Sequence, residues 1–157
     1  MIKKRNEKGI ALIEVIAALG VTVIVITSLV ALSISTLRAS LRSKLLLEGT
    51  KIANRELELV RAYRDGSVSW SDFVTNVKSC SAGCSMKTDG SGITGGSTVE
   101  GSGTEAITRS FTATTPGGAP LSDTDSITRI SVSVTWNIGG TVSGAYLYTD
   151  LTSWRSQ

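Results

Sequence analysis

Apolar positions change their spacing along this chain, and each spacing predicts a different element. Residues 10–34 form a nearly unbroken apolar run of 25 positions with one charge, Glu14, and no proline. An α-helix needs ~20 apolar residues to cross a ~30 Å hydrocarbon core, so this run predicts a membrane-spanning helix. Beyond it, Leu45, Ile52, Ala53, Leu57 and Val60 recur at helical spacing, with Leu59 and Tyr63 at the flank. Glu48, Lys51, Arg55, Glu56, Glu58, Arg61 and Arg64 are read as covering the rest, which makes residues 35–64 an amphipathic continuation. Only Gly20 and Gly49 interrupt the stretch before Tyr63, and an isolated glycine costs ~1 kcal/mol in a helix. The spacing therefore predicts one helix of about 55 residues. It ends at Arg64-Asp65-Gly66, a basic last turn followed by glycine. The alternative is two helices broken near Gly49.

The second half is polar, and its periodicity shortens to two. Residues 65–106 read as an irregular, glycine- and serine-rich region, with six glycines between Asp89 and Gly103 predicting a flexible surface loop. Within it, Trp70, Phe73 and Val77 are spaced for one or two helical turns. Residues 107–157 predict an antiparallel sheet. Residues 107–115 alternate around Phe111, and Pro116 to Pro120 is a turn cluster. Ile130, Val132, Val134 and Trp136 alternate with hydroxyl residues, the pattern of a half-buried strand. Gly139-Gly140 supports a hairpin turn into a last strand over residues 144–154. That strand places Ala145, Leu147, Thr149 and Leu151 on one face, with Tyr146, Tyr148 and Asp150 on the other. A sheet with one apolar face must cover it, and the stripe at 45–63 is the available cover. The fold class is α+β: one long N-terminal helix on a small antiparallel sheet of three to four strands.

Charge and composition narrow the function. The chain of 157 residues is formally +3. Lys3, Lys4, Arg5 and Lys8 against Glu7 place that whole excess in the first nine residues; the remainder holds 12 basic and 12 acidic side chains. The basic character is thus a short cluster before an apolar run, which points to a cytoplasmic N-terminus rather than to a nucleic-acid surface. The absence of histidine removes Ser-His-Asp and Cys-His catalysis and His-ligated zinc. No phosphate-binding glycine loop of the Gly-x-x-x-x-Gly-Lys-Ser/Thr type occurs. Neither an enzymatic activity nor a cofactor is expected.

Residues 8–15, Lys-Gly-Ile-Ala-Leu-Ile-Glu-Val, resemble the cleavage and methylation motif of type IV prepilins and pseudopilins. Four features coincide: a short basic leader, a glycine ending it, a glutamate at the fifth position after that glycine, and a long apolar helix. The resemblance implies a leader of residues 1–9, cleavage after Gly9 and N-methylation of Ile10 by a membrane prepilin peptidase. It implies that Glu14 pairs with the N-terminal amine of a neighbouring subunit. Ile10 stands where the family usually has phenylalanine, and the helix lacks the proline of many major pilins. The segments Val134-Thr-Trp136, Gly139-Gly-Thr141 and Leu147 to Trp154 are similar to the C-terminal ends of minor pilins of the pilus-modification type. The implied protein is a minor pilin or pseudopilin with a pilin-like fold. It would be held in the bacterial inner membrane with its N-terminus in the cytoplasm, then assembled into a type IV pilus or type II secretion-like filament. The implied partners are the peptidase, other pilin or pseudopilin subunits, the inner-membrane assembly platform and the lipid bilayer. The alternative is a non-polymerising single-pass anchored extracytoplasmic binding domain.

Two smaller features complete the reading. Cys80 and Cys84 enclose Ser-Ala-Gly. Outside the cytoplasm they are expected to close a small disulfide loop, with two free thiols as the alternative. A zinc site would need two further ligands. Asp123 and Asp125 alternate in a polar run, which reads as a solvated turn rather than a cation site.

Overall fold

The long helix α1 (Glu7–Gly66) is continuous, with no break at Gly49. The computed structural model describes residues 7–67, 69–103 and 106–153, with side chains from Leu12 onward. Trp154, expected in the last strand, lies outside the described residues. The chain divides into two units, residues 1–42 and 43–157, described in turn. In the first, every described side chain from Leu12 to Ser40 is exposed.

The second unit is α+β. From Ser43, α1 packs on an antiparallel sheet, and the predicted stripe of Leu45, Ile52, Ala53, Leu57 and Val60 is buried. The sheet is wider than the three to four strands expected. Among the described residues six strands are present: β1 (Cys84–Met86), β2 (Ile93–Gly95), β3 (Thr98–Glu100), β4 (Ile107–Thr114), β5 (Ile127–Ile138) and β6 (Thr141–Thr152). Their order is β2-β1-β4-β5-β6. β1 and β3 share one edge of β4, at Cys84↔Phe111 and Thr98↔Arg109.

The three extra strands correct the reading of residues 65–106 as irregular. Each spans three residues, too short for alternation to register; β4 supplies the pairing for β1 and β3, and β1 in turn pairs β2. The same region holds α2 (Trp70–Val77) and a 3-10 helix (Lys78–Ala82). The Ser69 side chain caps α2 by accepting from the Asp72 N–H at 3.1 Å. Phe73, Val74 and Val77 enter the core, so the spaced apolar residues here do form a helix.

β4 and β5 alternate as predicted: Ile107, Phe111, Ala113, Ile130, Val132, Val134 and Trp136 are buried. Gly139 and Gly140 turn with φ of 58° and 85°, the positive-φ pair of a type I′ hairpin. The last strand starts at Thr141, three residues earlier than expected, because the two-residue turn pairs Ile138 directly with Thr141. Gly49 has a packing reason. A Cβ there would lie 2.4 Å from Cζ3 of Trp136, so the glycine lets the indole seat against the helix backbone.

Candidate functional site

The apolar segment of α1 is the first candidate. Large apolar side chains from Leu12 to Leu37 are each at least 46% exposed. An 18-residue window here reaches a mean hydropathy of 2.7, so the helix is long and apolar enough to cross a membrane. Such a surface is apolar enough to gain from lipid or apolar protein, at ~1.5–3 kcal/mol per fully buried large side chain. Its hydroxyls are already satisfied. Thr22, Thr27, Ser28, Ser33, Ser35 and Thr36 each donate to a carbonyl three or four residues back, at 2.8–3.0 Å.

Gly9 and Ile10 fall in the opening turns of α1, and the Ile10 side chain lies outside the described residues. Glu14, four residues on, is exposed on the apolar segment. The i, i+4 spacing puts it on the same helix face as residue 10. Among the described residues no cation pairs with its carboxylate.

The second candidate is a charge network inside the α+β unit, at residues read from sequence as surface or passed over. Glu56 is 0% exposed and Arg109 is 1% exposed. Glu56 Oε2 pairs with Arg109 Nη1, while its Oε1 accepts from the Met86 N–H at 2.5 Å. Arg109 Nε donates to Glu100 Oε1 at 2.7 Å, and Arg55 reaches the same oxygen from α1. One cluster thereby joins α1 to β1, β3 and β4. Burial pushes the Glu56 carboxyl above its ordinary range, against the opposing pull of the Met86 N–H and the Arg109 guanidinium. The charges are closed on one another, and the arrangement ties helix to sheet.

Both signals were present in the sequence. Glu56 sits in helical phase with Ile52, Ala53, Leu57 and Val60, which places it inside the stripe rather than on the covering face assigned to it. Arg109 shares the inward parity of Ile107, Phe111 and Ala113. Each is a polar interruption alone; together they are opposite charges on the facing sides of two packed elements.

Cys80 and Cys84 are joined in a disulfide with Cα atoms 5.1 Å apart. The bond closes the step from the 3-10 helix to β1, and Cys84 is paired with Phe111 on β4. Asp125 Oδ2 accepts from the Ser122 N–H at 2.7 Å, the turn geometry expected. Asp123 instead meets Lys78 Nζ at 2.7 Å, which holds its carboxyl below the usual carboxylate range. Among the described residues no group of three or more Cys, Asp or Glu is placed to hold a metal ion.

Comparison of the chain with family models, curated proteins and solved structures finds no match.

Proposed function

We propose that this chain is a minor pilin or pseudopilin: a structural subunit cut after Gly9, methylated at Ile10 and assembled through α1. One observation carries the reading. The exposed apolar helix holds a single carboxylate, Glu14, at the fifth position from the proposed cleavage point, and the chain provides it no cation among the described residues. A carboxylate and an ammonium attract more strongly in apolar surroundings than in water, although desolvation offsets much of the gain. The pairing therefore acts mainly on register, because a misplaced subunit leaves Glu14 desolvated and unpaired. In this reading the chain is the substrate of a prepilin peptidase, not a catalyst. Its partners are neighbouring subunits and the assembly platform of a bacterial inner membrane, with the α+β unit outside the cytoplasm. The Cys80–Cys84 disulfide suits that compartment.

The test is the intact mass and N-terminal peptide of the protein from its host's membranes. A chain beginning at Ile10 with one added methyl is the expected result. A chain retaining Met1 to Gly9 overturns the reading and leaves a single-pass anchored binding domain. In the processed background, Glu14→Ala is expected to deplete the subunit from sheared filaments at unchanged membrane level; normal incorporation would sink the register role.

A further inference from the structure

The outward face of the sheet is built differently from its edges and its buried side. Register lays it out in rows: Ser110–Ser133–Tyr146 and Thr112–Ser131–Tyr148 run across β4, β5 and β6. Neighbouring strands stand ~4.8 Å apart, and the two tyrosines, two residues apart on one strand, ~7 Å apart. These six residues contribute hydroxyl groups and two aromatic rings and no charge. The next row is Thr114–Arg129–Asp150, and its charges are closed on each other. Arg129 Nε and Nη2 donate to the Asp150 carboxylate at 2.7 and 2.8 Å, and Nη1 donates to the Pro116 carbonyl at 2.9 Å.

The rings are exposed but held. Tyr146 is 69% and Tyr148 70% exposed. A Cβ on Gly144 would lie 3.0 Å from the Tyr146 Oη and 3.1 Å from its Cζ. The phenol thus leans along β6 over the bare glycine, rather than standing away from the sheet. The pinned Arg129 guanidinium sits 5.0 Å from the Tyr148 ring centroid and braces that ring from one side. Between the rings and the hydroxyl rows lies a cleft of about 230 Å³.

We infer that this face is a binding site for a neutral glycan. Aromatic rings held with an open face suit the C–H-bearing faces of sugar rings. Serine and threonine hydroxyls both donate and accept, so they match sugar hydroxyls in either sense. The lack of uncompensated charge disfavours an ionic ligand and suits an uncharged one. The exposed lining of the cleft is mostly apolar, with the serine and threonine hydroxyls as its polar groups, the usual make-up of a site that stacks a ligand on apolar surface and orients it by a few hydrogen bonds. The inference does not depend on filament assembly.

The experiment uses the full chain in a zwitterionic detergent, since sugar-headed detergents would compete. Depletion from solution onto cellulose, chitin and cross-linked dextran is measured, with carboxymethyl-cellulose as the anionic control. Binding to at least one neutral polymer is expected, reversed by the matching soluble hexasaccharide. Tyr146→Ala and Tyr148→Ala should each weaken it roughly tenfold, and the Phe variants by no more than about threefold. Unchanged circular dichroism will show that the fold is intact, as substitution at exposed positions predicts. Absence of binding to all three neutral polymers overturns the proposal. So does binding confined to the anionic polymer, or equal binding by the Tyr146→Ala/Tyr148→Ala double variant. A shift in oligomeric state on tyrosine removal, without loss of polymer binding, would assign the face to a protein partner and likewise overturn it.

Discussion

Glu14 and Glu56 lie on one helix and have opposite fates. Glu56 is buried against Arg109 and the Met86 N–H, both supplied by its own chain. Glu14 stands on an exposed apolar surface and receives no cation from the described residues. The same contrast holds for the side chains around them. From Leu45 to Val60 the apolar stripe is buried within the molecule, whereas from Leu12 to Leu37 it is exposed all round. The difference lies in where the countercharge and the apolar cover come from. The later part of α1 completes its packing inside the chain; the earlier part is left open among the described residues.

The largest test of that contrast removes the internal countercharge. Arg109→Met leaves a buried carboxylate without its cation and should cost about 3–5 kcal/mol of unfolding free energy, read by urea denaturation of the full chain in micelles. Adding Glu56→Gln should recover more than half, because the Met86 N–H keeps an acceptor while the charge is gone. Glu14→Gln, by contrast, should leave the midpoint unchanged. If Arg109→Met were equally silent, the network would not fix the register.

A smaller effect separates the two helix glycines. A Cβ at Gly49 meets the Trp136 indole at 2.4 Å, whereas one at Gly20 meets nothing within 4 Å. Gly49→Ala should lose about 1–3 kcal/mol to overpacking, offset in part by the ~1 kcal/mol gained in helix propensity, for a net loss of up to about 2 kcal/mol. Gly20→Ala should hold or raise stability in the same denaturation series. Equal outcomes would mean that Trp136 can move aside.

The smallest effect is a pH dependence. The folded-state carboxyl of Glu56 is raised above its ordinary value of 4.5. Between the two values the folded chain holds a proton that the unfolded chain has lost. This group's contribution is therefore full at low pH and is lost as the pH rises through the folded value. Asp123 and Asp150 run the other way. Lys78 and Arg129 hold them below 3.8, so their contribution is present above that value and is lost as the pH falls through their folded values. Denaturation midpoints should show Glu56→Gln removing the slope above pH 4.5 and leaving the acid limb intact. A slope unchanged by the substitution would place its source elsewhere.

Much of this was legible in the sequence, for reasons that can be named. The apolar run, the 45–60 stripe, the β5 alternation and the Gly139-Gly140 turn are local patterns, and each formed where its period placed it. β1, β2 and β3 were not legible. Three residues cannot display a period of two, and their pairing is conferred by β4 and the chain around Cys84. Glu56 and Arg109 were legible only as a pair, because burying either alone would be prohibitive. The tyrosine face was read correctly as the outward side of β6, but its rows depend on register, which a single strand does not reveal.

The hydroxyls of the apolar helix have one more consequence. Because Thr22 through Thr36 each carry their acceptor within their own turn, this segment asks nothing polar of its surroundings. Moving it from one apolar environment to another breaks no hydrogen bond and exchanges only dispersion contacts of similar strength. The segment is portable between solvents at nearly level free energy, and Glu14 is the one group along it for which the destination makes a difference.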